Sequence, residues 1–196
     1  DIVDGDHIIA ICATDLRDRG LLRDDTVVVT VMTNLGFRLA MRDVGIDVVE
    51  TAVGDRYVLE ALAAGNYSLG GEQSGHVIFP DHATTGDGML TALALLDTVQ
   101  RSGKQLSQLA EAAMTQLPQV LVNVTVGVRR DDIAELIADD IAAAAAPLGD
   151  TGRILVRPSG TEPLIRVMVE APTKDLAQQT ADDLADRVRA HPELTR

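Results

Sequence analysis

Residues 26–32, TVVVTVM, constrain the fold most, because six of the seven side chains are β-branched. Such side chains are stiff at χ1 and favour extended backbone, so the run reads as a buried strand. Helical segments surround it. Asn34 is a natural cap for a helix over Leu35–Val44, and Gly45 ends it. A strand over Ile46–Thr51 and a helix over Asp55–Ala64 follow, closed by Gly65-Asn66. Tyr67–Gly70 and His76–Phe79 read as strands on either side of GEQSG. Thr85-Gly86-Asp87 opens a helix running to Arg101, and a shorter one covers Leu106–Met114. At the start of the chain, Asp4-Gly5 is a turn signal, so residues 1–9 read as the end of a hairpin with a helix after it through Leu22. Strands alternating with helices predict a three-layer α/β domain, a mixed sheet with helices.

Pro118 opens a different pattern. A strand over Val120–Val126, a helix over Asp131–Ala146, strands over Ile154–Arg157 and Leu164–Glu170, and a helix over Lys174–Arg189 predict a smaller α+β domain of β-α-β-β-α order. Thr173 is the expected cap of the last helix, and Leu176, Thr180, Leu184 and Val188 its buried stripe.

The cores must be aliphatic, since 46% of residues are apolar and only 2% aromatic. That aromatic poverty, with a net charge of −13, argues against nucleic acid as a partner, which needs stacking platforms or a basic excess. No apolar run approaches the ~20 residues of a membrane span, so no membrane partner is expected. Cys12 is the only cysteine, so no internal disulfide can form; this fits a reducing, cytoplasmic compartment. Following Ile8, Ile9 and Ile11, it reads as a small buried residue. The chain has no initiating Met and begins mid-pattern, as expected of a piece of a longer protein.

Against this acidity, GRILVRPSGTEPLIRVMVE (152–170) gathers groups that bind anions. Arg157, Ser159, Gly160, Thr161 and Arg166 offer guanidinium forks, hydroxyls and a backbone free to aim its amides at one point. Pairing Arg157 opposite Leu164, and so Arg166 opposite Leu155, puts both arginines on one face, whereas a slip of one residue separates them. The alternative is an ordinary turn with surface arginines.

GGEQSGH (70–76) sets four polar side chains among three glycines. Glu72 can accept from two sugar hydroxyls, Ser74 can give and take, and His76 can donate; the glycines let a ligand approach the backbone. A glycine-rich hairpin turn explains the same residues equally well. In TAVGDRYV (51–58), Asp55 and Arg56 stand at a helix start, where anions are favoured, or serve as a cap and a solvated charge. Asp4, Asp6 and His7 of DGDH invite a metal reading, but a hairpin turn explains them better; no metal site is expected in this chain.

GEQSGH, ATTGDGMLTAL and RPSGTEPLIRVMVE, in this order, resemble the α-D-phosphohexomutase superfamily; TVMTNLG, VGDRYVLEAL and LPQVLVNV extend the likeness over nearly the whole chain. The resemblance implies a four-domain enzyme with a phosphoserine in its first domain and a three-aspartate Mg²⁺ loop in its second. On that pattern residues 1–13 are the tail of the metal-loop domain, 14–117 the sugar-binding domain and 118–196 the C-terminal phosphate-binding domain. It further implies a hexosamine phosphate as substrate and the N-terminal domains of the same protein as partner. Glu72, Ser74 and His76 would hold the sugar, Arg157, Ser159, Gly160, Thr161 and Arg166 the non-reacting phosphate, and Asp55 and Arg56 the cleft wall. No phosphoserine context and no DGDADR loop occurs in these residues, so the Mg²⁺ would be held elsewhere and the chain alone is expected to be inactive. A phosphomannomutase or phosphoglucomutase, or a non-catalytic sugar-phosphate sensor, shares the same loops.

Overall fold

A computed structural model describes residues 2–127, 130–159 and 162–194. The chain divides into two compact units, Asp1–Gln116 and Leu117–Arg196.

In the first unit, strand β1 (Thr26–Thr30) is buried along its whole length. It pairs in parallel with β2 (Asp47–Thr51) on one side and β3 (Gly70–Gly71) on the other; β4 (Val77–Ile78) closes the sheet antiparallel to β3. The order is β2-β1-β3-β4. Alternation along β1 serves two cores. Val27 and Val29 pack with Ile9, Ala10, Phe37 and Met41, carried by α1 (Gly5–Asp18) and α2 (Leu35–Asp43). Val28 faces the opposite way, onto Val58 and Leu62 of α3 (Asp55–Gly65). Helices on both faces of a mixed sheet make the expected three layers. Two further helices, α4 (Gly88–Ser102) and α5 (Leu106–Ala113), both contact α1. Asn34 caps α2 by accepting from the Gly36 N–H at 2.9 Å, and Asp87 caps α4 by accepting from Met89 and Leu90.

The start of the chain is a correction. Among the described residues, 2–4 form no hairpin strand and lead directly into α1. Asp4 is its cap, with Oδ1 accepting from the His7 N–H at 3.1 Å. Aspartate before glycine serves turns and helix caps through the same side-chain acceptor, so the dipeptide alone could not decide. The boundary expected after Ala13 falls inside α1, whose Ile9, Ala10, Cys12 and Ala13 are buried in the core of this unit. The helix ends at Asp18 rather than Leu22, and Gly20 turns away with φ +68°.

The second unit runs β5 (Gln119–Thr125), α6 (Ile133–Leu136), α7 (Ala138–Ala145), β6 (Arg153–Pro158), β7 (Leu164–Glu170) and α8 (Lys174–Ala190), with an antiparallel sheet of order β5-β7-β6. The helix expected over 131–146 is broken at Ile137 (φ −113°, ψ 26°), where Ile133 and Ile137 both enter the core. Thr173 caps α8 as expected. The stripe of α8 is displaced: Ala177, Ala181, Leu184, Ala185 and Val188 are buried, while Leu176 is 37% exposed. The alanines let the helix lie close on β5 and β7, and close approach outweighs the larger apolar area of Leu176.

Candidate functional site

Each unit builds one cluster of polar loops. In the second, β6 and β7 pair Arg157 opposite Arg166 and Pro158 opposite Ile165. The expected register had Arg157 opposite Leu164, so the observed one differs by two residues. A shift of two keeps the side chains on the same face and makes the arginines direct cross-strand neighbours. Ser159, fully buried, follows β6; its N–H donates to the Leu164 carbonyl at 2.8 Å, and Arg166 Nη2 reaches its Oγ at 3.5 Å. Arg166 Nε is buried with no hydrogen-bond partner among the described residues. Burial, and then the charge of Arg166, push the Arg157 guanidinium below its ordinary range. Two half-buried cations side by side suit a doubly charged anion. Gly160 and Thr161, also expected here, lie outside the described residues.

In the first unit, three loops meet at the sugar-loop candidate. The turn after β3 closes with Gly75 N–H donating to the Glu72 carbonyl at 2.9 Å, and Gly75 takes φ +93°, a conformation that favours glycine. Glu72 Oε1 accepts from the Gly54 N–H at 3.1 Å, which ties GEQSGH to the VGDR loop. His76 Nε2 stands 3.9 Å from Asp55 Oδ2, beyond hydrogen-bond length, and is buried without a partner among the described residues. The ring of His76 lies flat against Gly86 of TTGDG, so close that a Cβ there would stand 2.5 Å from Cε1. Ser74 is exposed at the tip. Arg56 is exposed and turned along α3, its Nε donating to Glu60 at 2.7 Å. Glu72, His76 and Asp55 therefore come together, and Arg56 is drawn aside.

Sequence reasoning missed three contributors: the Gly54 amide, Gly86, and Gly5. The N–H of Gly5 donates to the Gln73 carbonyl at 3.1 Å, and a Cβ there would meet the Glu72 carbonyl oxygen at 2.4 Å. The signal was in the glycines themselves, at helix starts where the chain needs close approach, but spacing did not say what they approach.

The acidic residues of DGDH do not converge. Asp4 accepts from His7 and from Gln116 Nε2, while buried Asp6 accepts from the Asn34 N–H at 2.9 Å. Among the described residues no group of three or more His, Cys, Asp or Glu is placed to hold a metal ion.

Two family models match: phosphoglucomutase/phosphomannomutase, alpha/beta/alpha domain III, over residues 4–117, and phosphoglucomutase/phosphomannomutase, C-terminal domain, over residues 102–187. The chain belongs to the phosphoglucomutase/phosphomannomutase family. It is 64% identical over 191 residues to the phosphoglucosamine mutase of Frankia alni, a match covering 97% of this chain and 42% of that protein. With the phosphoglucosamine mutase of Thermobifida fusca the identity is 60% over 190 residues, 96% of this chain and 42% of that protein. Its fold is that of a crystal structure of N-acetylglucosamine-phosphate mutase, a member of the α-D-phosphohexomutase superfamily, in its product complex: TM-score 0.80 and 24% identity, over 95% of this chain and 44% of that one. The superfamily read from the three loop motifs is thus the right one. The chain spans less than half the length of these relatives.

Proposed function

We propose that the intact protein is a phosphoglucosamine mutase, interconverting glucosamine 6-phosphate and glucosamine 1-phosphate for amino-sugar and cell-wall precursor synthesis in the cytoplasm, and that this chain supplies its substrate grips. The observation that carries the reading is the 64% identity to a phosphoglucosamine mutase across 97% of the chain. In this reading the first unit holds the sugar and the second holds the phosphate that is not reacting. Glu72 accepts from sugar hydroxyls, Ser74 donates and accepts at the loop tip, and His76 donates from Nε2, already desolvated and awaiting an acceptor. Arg157 and Arg166 clamp the phosphate oxygens, and Ser159, Gly160 and Thr161 add donors. Asp55 lines the cleft beside His76; Arg56 contributes only if it leaves Glu60.

The chemistry transfers phosphate from an enzyme serine to the sugar and, after the bisphosphate turns over, returns the other phosphate to serine. Two grips of different chemistry suit such a step, because either end of the intermediate must fit the same phosphate clamp. The described residues do not fit a Mg²⁺ site, since Asp4 and Asp6 are spent on separate backbone and side-chain donors. We therefore place the Mg²⁺ and the phosphoserine in the N-terminal domains of the same protein.

Turnover by the full-length protein tests this. The expected result is a kcat/KM for glucosamine 6-phosphate at least about tenfold above those for glucose and mannose 6-phosphates, with no turnover by the 196-residue chain alone. Equal or faster turnover of the neutral hexose phosphates would reassign it as a phosphoglucomutase or phosphomannomutase. Robust turnover by the chain alone would contradict the division of labour.

A further inference from the structure

Two carboxylates, Glu72 and Asp55, stand at the sugar loop of the first unit, and among the described residues neither is paired with a lysine or an arginine. Glu72 Oε1 is taken by the Gly54 N–H, and Asp55 Oδ1 accepts from the Arg56 N–H at 2.7 Å. The guanidinium of Arg56, next in sequence, is turned to Glu60 and leaves Asp55 uncompensated. The one basic neighbour of Asp55 among the described residues is His76, whose Nε2 stands 3.9 Å from Oδ2. One oxygen of Asp55 therefore serves the start of α3. The other is open, on a side chain that is 58% exposed. This charge pattern suits a neutral sugar phosphate poorly. The phosphate makes the ligand an anion, and unpaired carboxylates beside it add repulsion. A cation on the sugar itself offsets that repulsion.

We propose that Asp55 pairs with the C2 ammonium of a glucosamine phosphate and so sets the preference for the amino sugar over the neutral hexose; the inference rests on the reading of the intact protein as a phosphoglucosamine mutase. A carboxylate meets an ammonium group in a charge-assisted hydrogen bond, but meets a hydroxyl at the same carbon in an ordinary one. Of the two carboxylates, Asp55 is the better placed to read the amine. Glu72 is held by the Gly54 amide and shares its loop with Ser74, an acceptor and a hydroxyl together, which suits neutral sugar hydroxyls. Asp55 comes from another element, the first turn of α3, and keeps an oxygen free. C2 lies beside C1, so turning the sugar end for end moves the amine. Asp55 therefore meets it in one of the two orientations, with either the 6-phosphate or the 1-phosphate in the clamp.

The test is titration calorimetry of the 196-residue chain with the 6- and 1-phosphates of glucosamine and of glucose, for the parent, Asp55→Asn and Glu72→Gln. Asparagine keeps the acceptor that holds the Arg56 N–H, so the start of α3 is preserved and only the charge is lost. The parent is expected to bind one of the two glucosamine phosphates more tightly than the matching glucose phosphate. In Asp55→Asn that ratio of affinities should fall about tenfold, the loss of one charge-assisted contact. Glu72→Gln should weaken both sugars of a pair alike and leave the ratio standing. A loss of folding would lower both affinities together, so the ratio isolates the reading of the amine. A ratio unchanged in Asp55→Asn overturns the proposal, and a ratio that collapses in Glu72→Gln instead assigns the amine to Glu72. Absence of binding by all four sugar phosphates removes the substrate grips and this inference with them. Binding without an amino-sugar preference removes this inference alone, and the turnover of the full-length protein then decides the activity separately.

Discussion

Arg157 and Arg166 face each other directly across the β6–β7 hairpin, with the buried hydroxyl of Ser159 within 3.5 Å of Arg166. Like charges in directly opposed positions weaken a sheet by a few tenths to about 1 kcal/mol. A dianion bound between the two guanidinium groups would offset that repulsion.

Arg166→Met keeps most of the stem and removes the charge. The urea midpoint of the free chain is expected to stay level or rise. Affinity for glucosamine 6-phosphate, by titration calorimetry, should drop about 10- to 100-fold, the loss of one or two charge-assisted hydrogen bonds. Lower stability with unchanged affinity would make the arginine pair structural.

Gly86→Ala and Gly5→Ala separate a site glycine from a framework glycine. The three atoms nearest a Cβ at Gly86 all belong to the His76 ring, a side chain that can swing away; those nearest a Cβ at Gly5 are backbone atoms of Glu72, Gln73 and Gly75. Gly86→Ala should leave the urea midpoint nearly unchanged, shift the His76 ring resonances and lower the kcat/KM for glucosamine 6-phosphate proposed for the full-length protein. Gly5→Ala should cost about 1–3 kcal/mol, the usual range for overpacking.

Asp15 holds a pH-dependent link between α1 and α4. Burial raises its carboxyl, but bonds from Arg101 at 2.6 and 2.8 Å and from Arg19 at 3.2 Å outweigh it, so the net shift is downward. A lowered folded value means that the unfolded chain binds the proton more readily. The contribution is therefore present above the ordinary carboxyl value of about 4 and is lost as pH falls through the folded one. Asp15→Asn should lower the urea midpoint at pH 7, and the gap from the parent should close toward pH 3. A gap that stays constant across this range would contradict the assignment.

Layering was legible from the β-branched run and its flanking caps. Asn34, Asp87 and Thr173 act locally, within three residues of their own position, and local chemistry survives in a sequence. Register did not survive as well: parity put Arg157 and Arg166 on one face, but which residues stand opposite was fixed by the turn between them. The α8 stripe was misplaced because alanines bury through close approach, which residue size conceals. Asp4-Gly5 was misread because its role depends on whether an amphipathic helix follows directly. In the candidate site, the side chains with donors and acceptors were visible. The Gly54 amide and the bare face of Gly86 were not, since they act through backbone proximity between residues far apart in sequence.

The most direct measurement is a two-dimensional amide NMR titration of the chain with glucosamine 6-phosphate. Two substrate grips in one chain require saturable shifts at Ser159 and Arg166 and at Glu72 and Ser74. An absence of shifts at both loops at millimolar ligand, or shifts confined to residues outside them, would contradict the claim that this chain carries the substrate-holding half of the enzyme.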